Sequence, residues 1–267
     1  MKTLFTALIL AASGSALSGA SPQEQRIEEI SLGPAPLFLR VPAQPAPGKP
    51  WLWVAEFFGV DKPLEDALLD MGWHVAYVRV ADQFGSAWAM DQWEKAYDEL
   101  HGQRGLSAEP AILAISRGGL YALSWLRRHP DRASALVMDN AVTAPRSWPA
   151  GIQLEEKGAG DAAEWERYKD RWKFTDDATA LSGSPRPTDG LGPAVANGVL
   201  LVSAFGTADD LVPHTDNGAV LAEFWQQNGG RVALFPREGG AHHPHGLADP
   251  APLLRLLERE SATADAD

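Results

Sequence analysis

The 267-residue sequence contains no cysteine. That excludes disulfides, thiolate-held metals and a thiol nucleophile, so any nucleophilic chemistry falls to serine. Positive charge is scarce: 23 Lys and Arg face 35 Asp and Glu, a formal net charge of −12. An acidic surface repels phosphate backbones and no basic run with interleaved aromatics occurs, so nucleic acid is not an expected partner. Nor does any apolar run approach the ~20 residues that a membrane span needs. The run at 4–12, behind Lys2, is too short, and Ser18, Gly19 and Ala20 follow it before Ser21-Pro22. This is the layout of a secretory signal peptide, so residues 1–20 are expected to be a leader and the protein to be exported, periplasmic or secreted. The lack of cysteine does not oppose export, because a chain of this length can build a core without covalent staples.

What the sequence does have is alternation. Apolar stretches at 51–55, 73–80, 111–116, 133–138, 199–204 and 232–235 read as strands, after two shorter ones at 26–31 and 36–41. Between them, 62–71, 87–100, 120–128, 214–227 and 251–260 read as helices. Strands alternating with helices predict right-handed crossovers and one mainly parallel sheet with helices on both faces. Residues 141–197 break the pattern with WPAG, a Gly- and acid-rich piece, a polar helix near 162–174 and SGSPRP. A small lid inserted at about 141–197, within a single domain spanning 21–267, is the expectation.

The stretch AILAISRGGLYA, residues 111–122, places Ser116 at the corner between a strand and a helix. A sharp turn there tolerates only small neighbours, which Ala114 and Gly118 supply, and it holds the hydroxyl above the carboxyl ends of the strands. The pattern is G-x-S-x-G with Ala for the first Gly; the alternative is a serine capping an ordinary strand-to-helix turn. A serine nucleophile needs a base and an acid to orient that base. FGTADDLVP, after the strand at 199–204, offers Asp209 and Asp210, and PREGGAHHPHG, after 232–235, offers His242, His243 and His245. Asp139, just past the strand at 133–138, is a topologically possible substitute acid.

Taken together and in this order, ISRGG, GTADDLVP and GGAHHPHG resemble the three catalytic motifs of the α/β-hydrolase superfamily. The resemblance covers nearly all of residues 21–267 and implies the α/β-hydrolase fold. It makes Ser116 the nucleophile, Asp209 the acid and His242 the general base, with no metal or organic cofactor. The form G-x-x-D-x-x-V-P selects Asp209 over Asp210, and Ala241-His242 stands where the superfamily has Gly-His. A metal site at His242, His243 and His245 is not expected, because the HHPH spacing does not put two side chains on one helical face. For the oxyanion hole the resemblance implies the Arg117 amide and a donor from EFFG, for which Phe57 is the candidate. Glu56 replaces the usual histidine there and could pair with an arginine or touch substrate. With Glu56, the residues Trp88, Trp148 and His245 are the expected substrate contacts.

The Ser116-Arg117 pair is similar to the Ser-Arg motif of glucuronoyl esterases, in which the arginine side chain assists the oxyanion hole. WLWVAEFFG, SRGGL and HHPHGL resemble a group of exported bacterial α/β-hydrolases. Ten tryptophans are present; Trp51, Trp53, Trp125 and Trp225 read as core, whereas Trp88, Trp148, Trp165 and Trp172 could stack on a sugar or an aromatic acyl group. The expected activity is hydrolysis of a carboxylic ester through an acyl-enzyme, with a small-molecule or carbohydrate-linked ester as substrate. A prolyl-peptidase-like serine peptidase is the alternative, although no propeller domain is evident in the sequence. A non-catalytic binding protein on a hydrolase scaffold is the third reading, and retention of Ser, Asp and His speaks against it.

Overall fold

The apolar runs in the middle of the sequence form the middle of the sheet in the computed structural model, which describes residues 26–152 and 160–264. The expected leader lies outside the described residues, as does part of the Gly- and acid-rich piece. Eight strands pair in one sheet: β1 (Arg26–Ile30), β2 (Leu37–Val41), β3 (Trp51–Ala55), β4 (His74–Val78), β5 (Ala111–Ile115), β6 (Ala135–Asp139), β7 (Leu200–Gly206) and β8 (Val232–Arg237). Their spatial order is β1-β2-β4-β3-β5-β6-β7-β8. β1 and β2 pair antiparallel, as do β2 and β4; the remaining pairings are parallel. Every residue of β3, β4, β5 and β6 is buried, which explains why these strands show no polar alternation.

The two faces are covered by different helices. Trp51, Trp53 and Ala55 point to one side, into a cluster with Trp93 of α2 (Ala87–Tyr97), Trp125 of α3 (Gly118–Arg128) and Trp225 of α7 (Gly218–Gln227). Leu52 and Val54 point to the other, against Leu64 and Leu68 of α1 (Lys62–Asp70) and Leu253 and Leu257 of α8 (Ala251–Ala264). Trp53 stacks on Trp93 at 4.1 Å and meets Trp125 edge-on at 4.9 Å. Truncating any of these rings to Ala should cost about 3–5 kcal/mol.

Between β6 and β7 the chain forms α4 (Ala162–Trp172), α5 (Asp177–Gly183) and α6 (Gly192–Ala196). Trp148, Trp165, Tyr168, Ala180 and Val212 build a small core there with Phe84, Leu120 and Val142. Two predicted helices differ from expectation. The one at 87–100 stops at Tyr97 and widens into a π-helical turn, Asp98–Gln103. The one at 214–227 begins as a 3₁₀ turn, His214–Asp216, and resumes only at Gly218. Asn217 interrupts it because its side chain serves a different segment: Oδ1 accepts from the Thr143 and Ala144 amides, and Nδ2 donates to Ser147 Oγ and Pro213 O. No described helix is long and apolar enough to cross a membrane.

Candidate active site

The β5–α3 corner forces Ser116 to a φ of +47°, in the left-handed region that side chains with a Cβ avoid. Neighbouring strands hold it there: the Ser116 amide donates to Asp139 O at 3.0 Å, and Ser116 O accepts from the Val142 amide at 2.8 Å. Two glycines let α3 close behind it. A Cβ on Gly118 would lie 2.4 Å from Ala55 O, and one on Gly119 would lie 2.3 Å from Val142 O.

Two loops bring the partners. Gly206, at the end of β7, passes so near the loop after β8 that a Cβ would meet Gly240 O at 2.2 Å. This crossing sets Asp209 beside His242. His242 Nδ1 lies 2.7 Å from Asp209 Oδ2, and His242 Nε2 lies 3.0 Å from Ser116 Oγ. The other Asp209 oxygen accepts from the Leu211 and Val212 amides at 3.0 and 2.9 Å, so the carboxylate is fixed at both ends. Because a carboxylate only accepts, Nδ1 carries the imidazole proton and Nε2 presents its lone pair to the hydroxyl. Asp210 is exposed and outside this line. Asn140 completes the support: at a φ of +44° it accepts from the Gly206 amide at 2.8 Å and donates to His242 O at 2.7 Å. No motif marks Asn140, although an Asn directly past a strand end is a residue type that tolerates the left-handed region.

Asp139, the substitute acid, serves a different group. Its carboxylate accepts from the Gly246 amide at 2.6 Å, sits 2.7 Å from Arg237 Nη2 and faces His245 Nδ1 at 3.6 Å. Burial alone would raise its pKa, but these neighbours outweigh burial and hold it below the ordinary carboxylate range. His245, expected as a substrate contact, faces Asp139 with its Nδ1.

Arg117 follows Ser116, and its side chain reaches acidic groups of three other segments. Its guanidinium donates to Glu56 Oε1 at 2.8 Å and to Glu164 Oε2 of α4 at 3.0 Å, and it contacts Asp82. The rings of Phe57 and Phe84 lie 5.4 and 5.5 Å from it. With three carboxylates around it, this guanidinium is committed to ion pairs in this structure. Glu56 is buried against Arg117 and the Asp82 amide, a placement that makes it an ion-pair partner rather than a substrate contact. The Arg117 amide stands at the N-terminus of α3, where backbone N–H groups have no intrahelical acceptor. The Phe57 amide donates to Ala55 O at 3.1 Å across Glu56, whose φ is +76°. A bond between residues two apart is bent and weak. Among the expected aromatic contacts, Trp148 is buried and faces Phe84 at 6.3 Å, and Trp165 stacks on Tyr168; Trp88 is 41% exposed.

No known family's profile matches the sequence, and no curated protein does. Solved structures do. A Mycobacterium tuberculosis puromycin-hydrolyzing peptidase superposes with a TM-score of 0.59 at 16% identity, covering 90% of this chain and 39% of that one. Pyrococcus horikoshii acylaminoacyl peptidase gives 0.56 at 16% identity, over 82% of this chain and 37% of its own. The Thermus thermophilus protein TT1662 gives 0.58 at 18% identity, over 89% of this chain and 98% of its own. The chain thus spans about two-fifths of the length of the two peptidases. Identities this low speak to architecture alone, and with the sheet order, the strand-to-helix corner and the helices on both faces they establish that this chain has the α/β-hydrolase fold.

Proposed function

We propose that the chain is a serine hydrolase that cleaves an acyl bond through an acyl-enzyme. The observation carrying this reading is the continuous line from Ser116 Oγ through the His242 imidazole to the anchored Asp209 carboxylate, at 3.0 and 2.7 Å. His242 Nε2 takes the hydroxyl proton as Ser116 attacks the carbonyl carbon, and Asp209 stabilises the imidazolium. His242 then returns that proton to the leaving group. Water, deprotonated by the same imidazole, releases the acyl group and restores the serine. The Arg117 amide receives the oxyanion, with the Phe57 amide as second donor once it leaves its bent bond to Ala55 O. Each such donor is worth about 3 kcal/mol in the transition state.

Peptide or amide bonds are the favoured substrates within this reading. The support comes from the structural neighbours, among them peptidases from Mycobacterium tuberculosis, Pyrococcus horikoshii and Porphyromonas gingivalis. The case for a carbohydrate ester rested on export, the aromatic lid and the Ser-Arg pair; Trp148 and Trp165 are buried in packing, and Arg117 is held in ion pairs. The leader-like segment with Lys2 and the run at 4–12 supports an exported location. A fluorophosphonate probe and a substrate panel test the proposal. The expected result is a single adduct on Ser116, lost in Ser116→Ala, with turnover of short peptide anilides as well as p-nitrophenyl esters. Folded protein without an adduct would refute the nucleophile, and turnover of esters alone would refute the amide preference.

A further inference from the structure

Three imidazoles crowd together where the proposed chemistry uses one. The rings of His242, His243 and His245 stand 4.7, 5.1 and 4.9 Å apart, each pair edge to face. One nitrogen from each lies within 4.8 Å of the other two. The HHPH spacing gave no hint of this, because a loop turn and not a helix face makes them converge.

Their surroundings are those of ligands. Asp209 holds His242 Nδ1 at 2.7 Å, and Asp139 faces His245 Nδ1 at 3.6 Å. The Asp209 bond fixes the His242 tautomer and makes its other nitrogen a better donor, which is how histidines are oriented around zinc, whereas Asp139 faces His245 without a hydrogen bond. His243 is the exposed member. It borders a cavity of about 290 Å³ that Asp61, Arg237 and His245 also line. The charge of Arg237 is matched there by Asp139, 2.7 Å away.

We propose that His242, His243 and His245 bind a borderline transition-metal cation such as Zn²⁺, and that occupancy switches the Ser116 centre off. Binding stands independently; the switch rests on the serine-hydrolase reading. Zn–N bonds of about 2.0–2.1 Å in a tetrahedral set put donor nitrogens about 3.4 Å apart, so the rings must close slightly, and exposed His243 is the one free to move. The ion takes the Nε2 lone pair of His242, water fills the fourth position, and the Ser116 hydroxyl loses its base. No covalent bond of the protein changes, so removing the ion restores the base. Three neutral nitrogens suit Zn²⁺, Cu²⁺ or Ni²⁺ and disfavour Mg²⁺ and Ca²⁺.

The test uses the purified chain and has two independent readouts. Binding is followed by the visible absorption of added Co²⁺ and by thermal stabilisation with Zn²⁺, in wild type, Ser116→Ala and His243→Ala. The expected result is one ion per chain, retained in Ser116→Ala and weakened at least tenfold in His243→Ala. Turnover should fall at least tenfold at saturating Zn²⁺, recover with EDTA and ignore Mg²⁺. His243→Ala should turn over at the wild-type rate and need at least tenfold more Zn²⁺ for the same inhibition. Equal affinity in wild type and His243→Ala would overturn the site, and bound Zn²⁺ with turnover intact would overturn the switch. Co²⁺ held by imidazoles in a chain without turnover would refute the hydrolase reading and support the metal site.

Discussion

Arg117 illustrates at the residue scale how the site depends on a group that need not touch substrate. Its guanidinium faces a Glu56 side chain that is 1% exposed. Removing one partner of such a pair leaves a buried charge unmatched, at a cost of about 3–5 kcal/mol. Arg117→Ala is therefore expected to lower the unfolding free energy by about 3 kcal/mol, and Glu56→Gln in the same chain to recover part of the loss. The sign of the pH dependence follows from Glu56. Burial already raises its pKa, an effect that Arg117 opposes, so losing the arginine raises it further. A carboxyl group whose pKa is higher in the folded than in the unfolded state contributes stability below its unfolded pKa, and loses it as pH rises through the folded one. The deficit of Arg117→Ala relative to wild type should accordingly be larger at pH 8 than at pH 5. Urea denaturation at the two values checks this; a deficit that is larger in acid would show that Glu56 is not its source.

At the scale of elements, the corner between β5 and α3 rests on Gly118 and Gly119, whose added Cβ atoms would strike backbone carbonyls of Ala55 and Val142. Backbone cannot yield as a flexible side-chain tip can, so Gly118→Ala and Gly119→Ala are each expected to cost about 2 kcal/mol and to push Ser116 out of line with His242. Displacement of about 1 Å can cost about a hundredfold in rate, so kcat should fall by more than KM rises. Gly102→Ala, with nothing within 4 Å of the added carbon, is the control and should leave both unchanged. Loss of kcat in the control as well would remove the steric explanation. Gly118, and the three motifs around Ser116, Asp209 and His242, were legible in the sequence because each requirement is local: a small residue in a tight turn, a polar residue past a strand end. β3 to β6 were legible because burial on both faces leaves uninterrupted apolar runs. β8 runs two residues past the expected stop at Phe235, since an edge strand accepts Pro236. α5 and α6 were not foreseen, being only seven and five residues long. An arginine partner for Glu56 was an open expectation, but the rest of the Arg117 cluster was not legible, because Asp82 and Glu164 come from two further segments and no spacing relates them.

Across the whole molecule the excess of 35 acidic over 23 basic residues sets a field that individual contacts do not. Near Ser116 arginines offset most of the carboxylates: Arg117 and Arg167 stand against Glu56, Glu164 and Asp82, and Arg237 against Asp139. Discrimination between substrate charges should therefore arise in the approach rather than in the bound state. Fields of this kind raise the encounter rate of oppositely charged ligands about tenfold or more, and they fade once the Debye length shrinks to about 10 Å near 0.1 M salt. For a matched pair of anilide or ester substrates differing only in a remote charge, kcat/KM of the cationic one should fall several-fold between about 0.02 and 0.2 M NaCl. That of the anionic one should rise, and kcat of both should stay constant. Steady-state kinetics at the two ionic strengths decides the matter: a parallel fall for both substrates would mean that salt acts on the protein itself, and the acidic surface would then have no part in choosing what reaches Ser116.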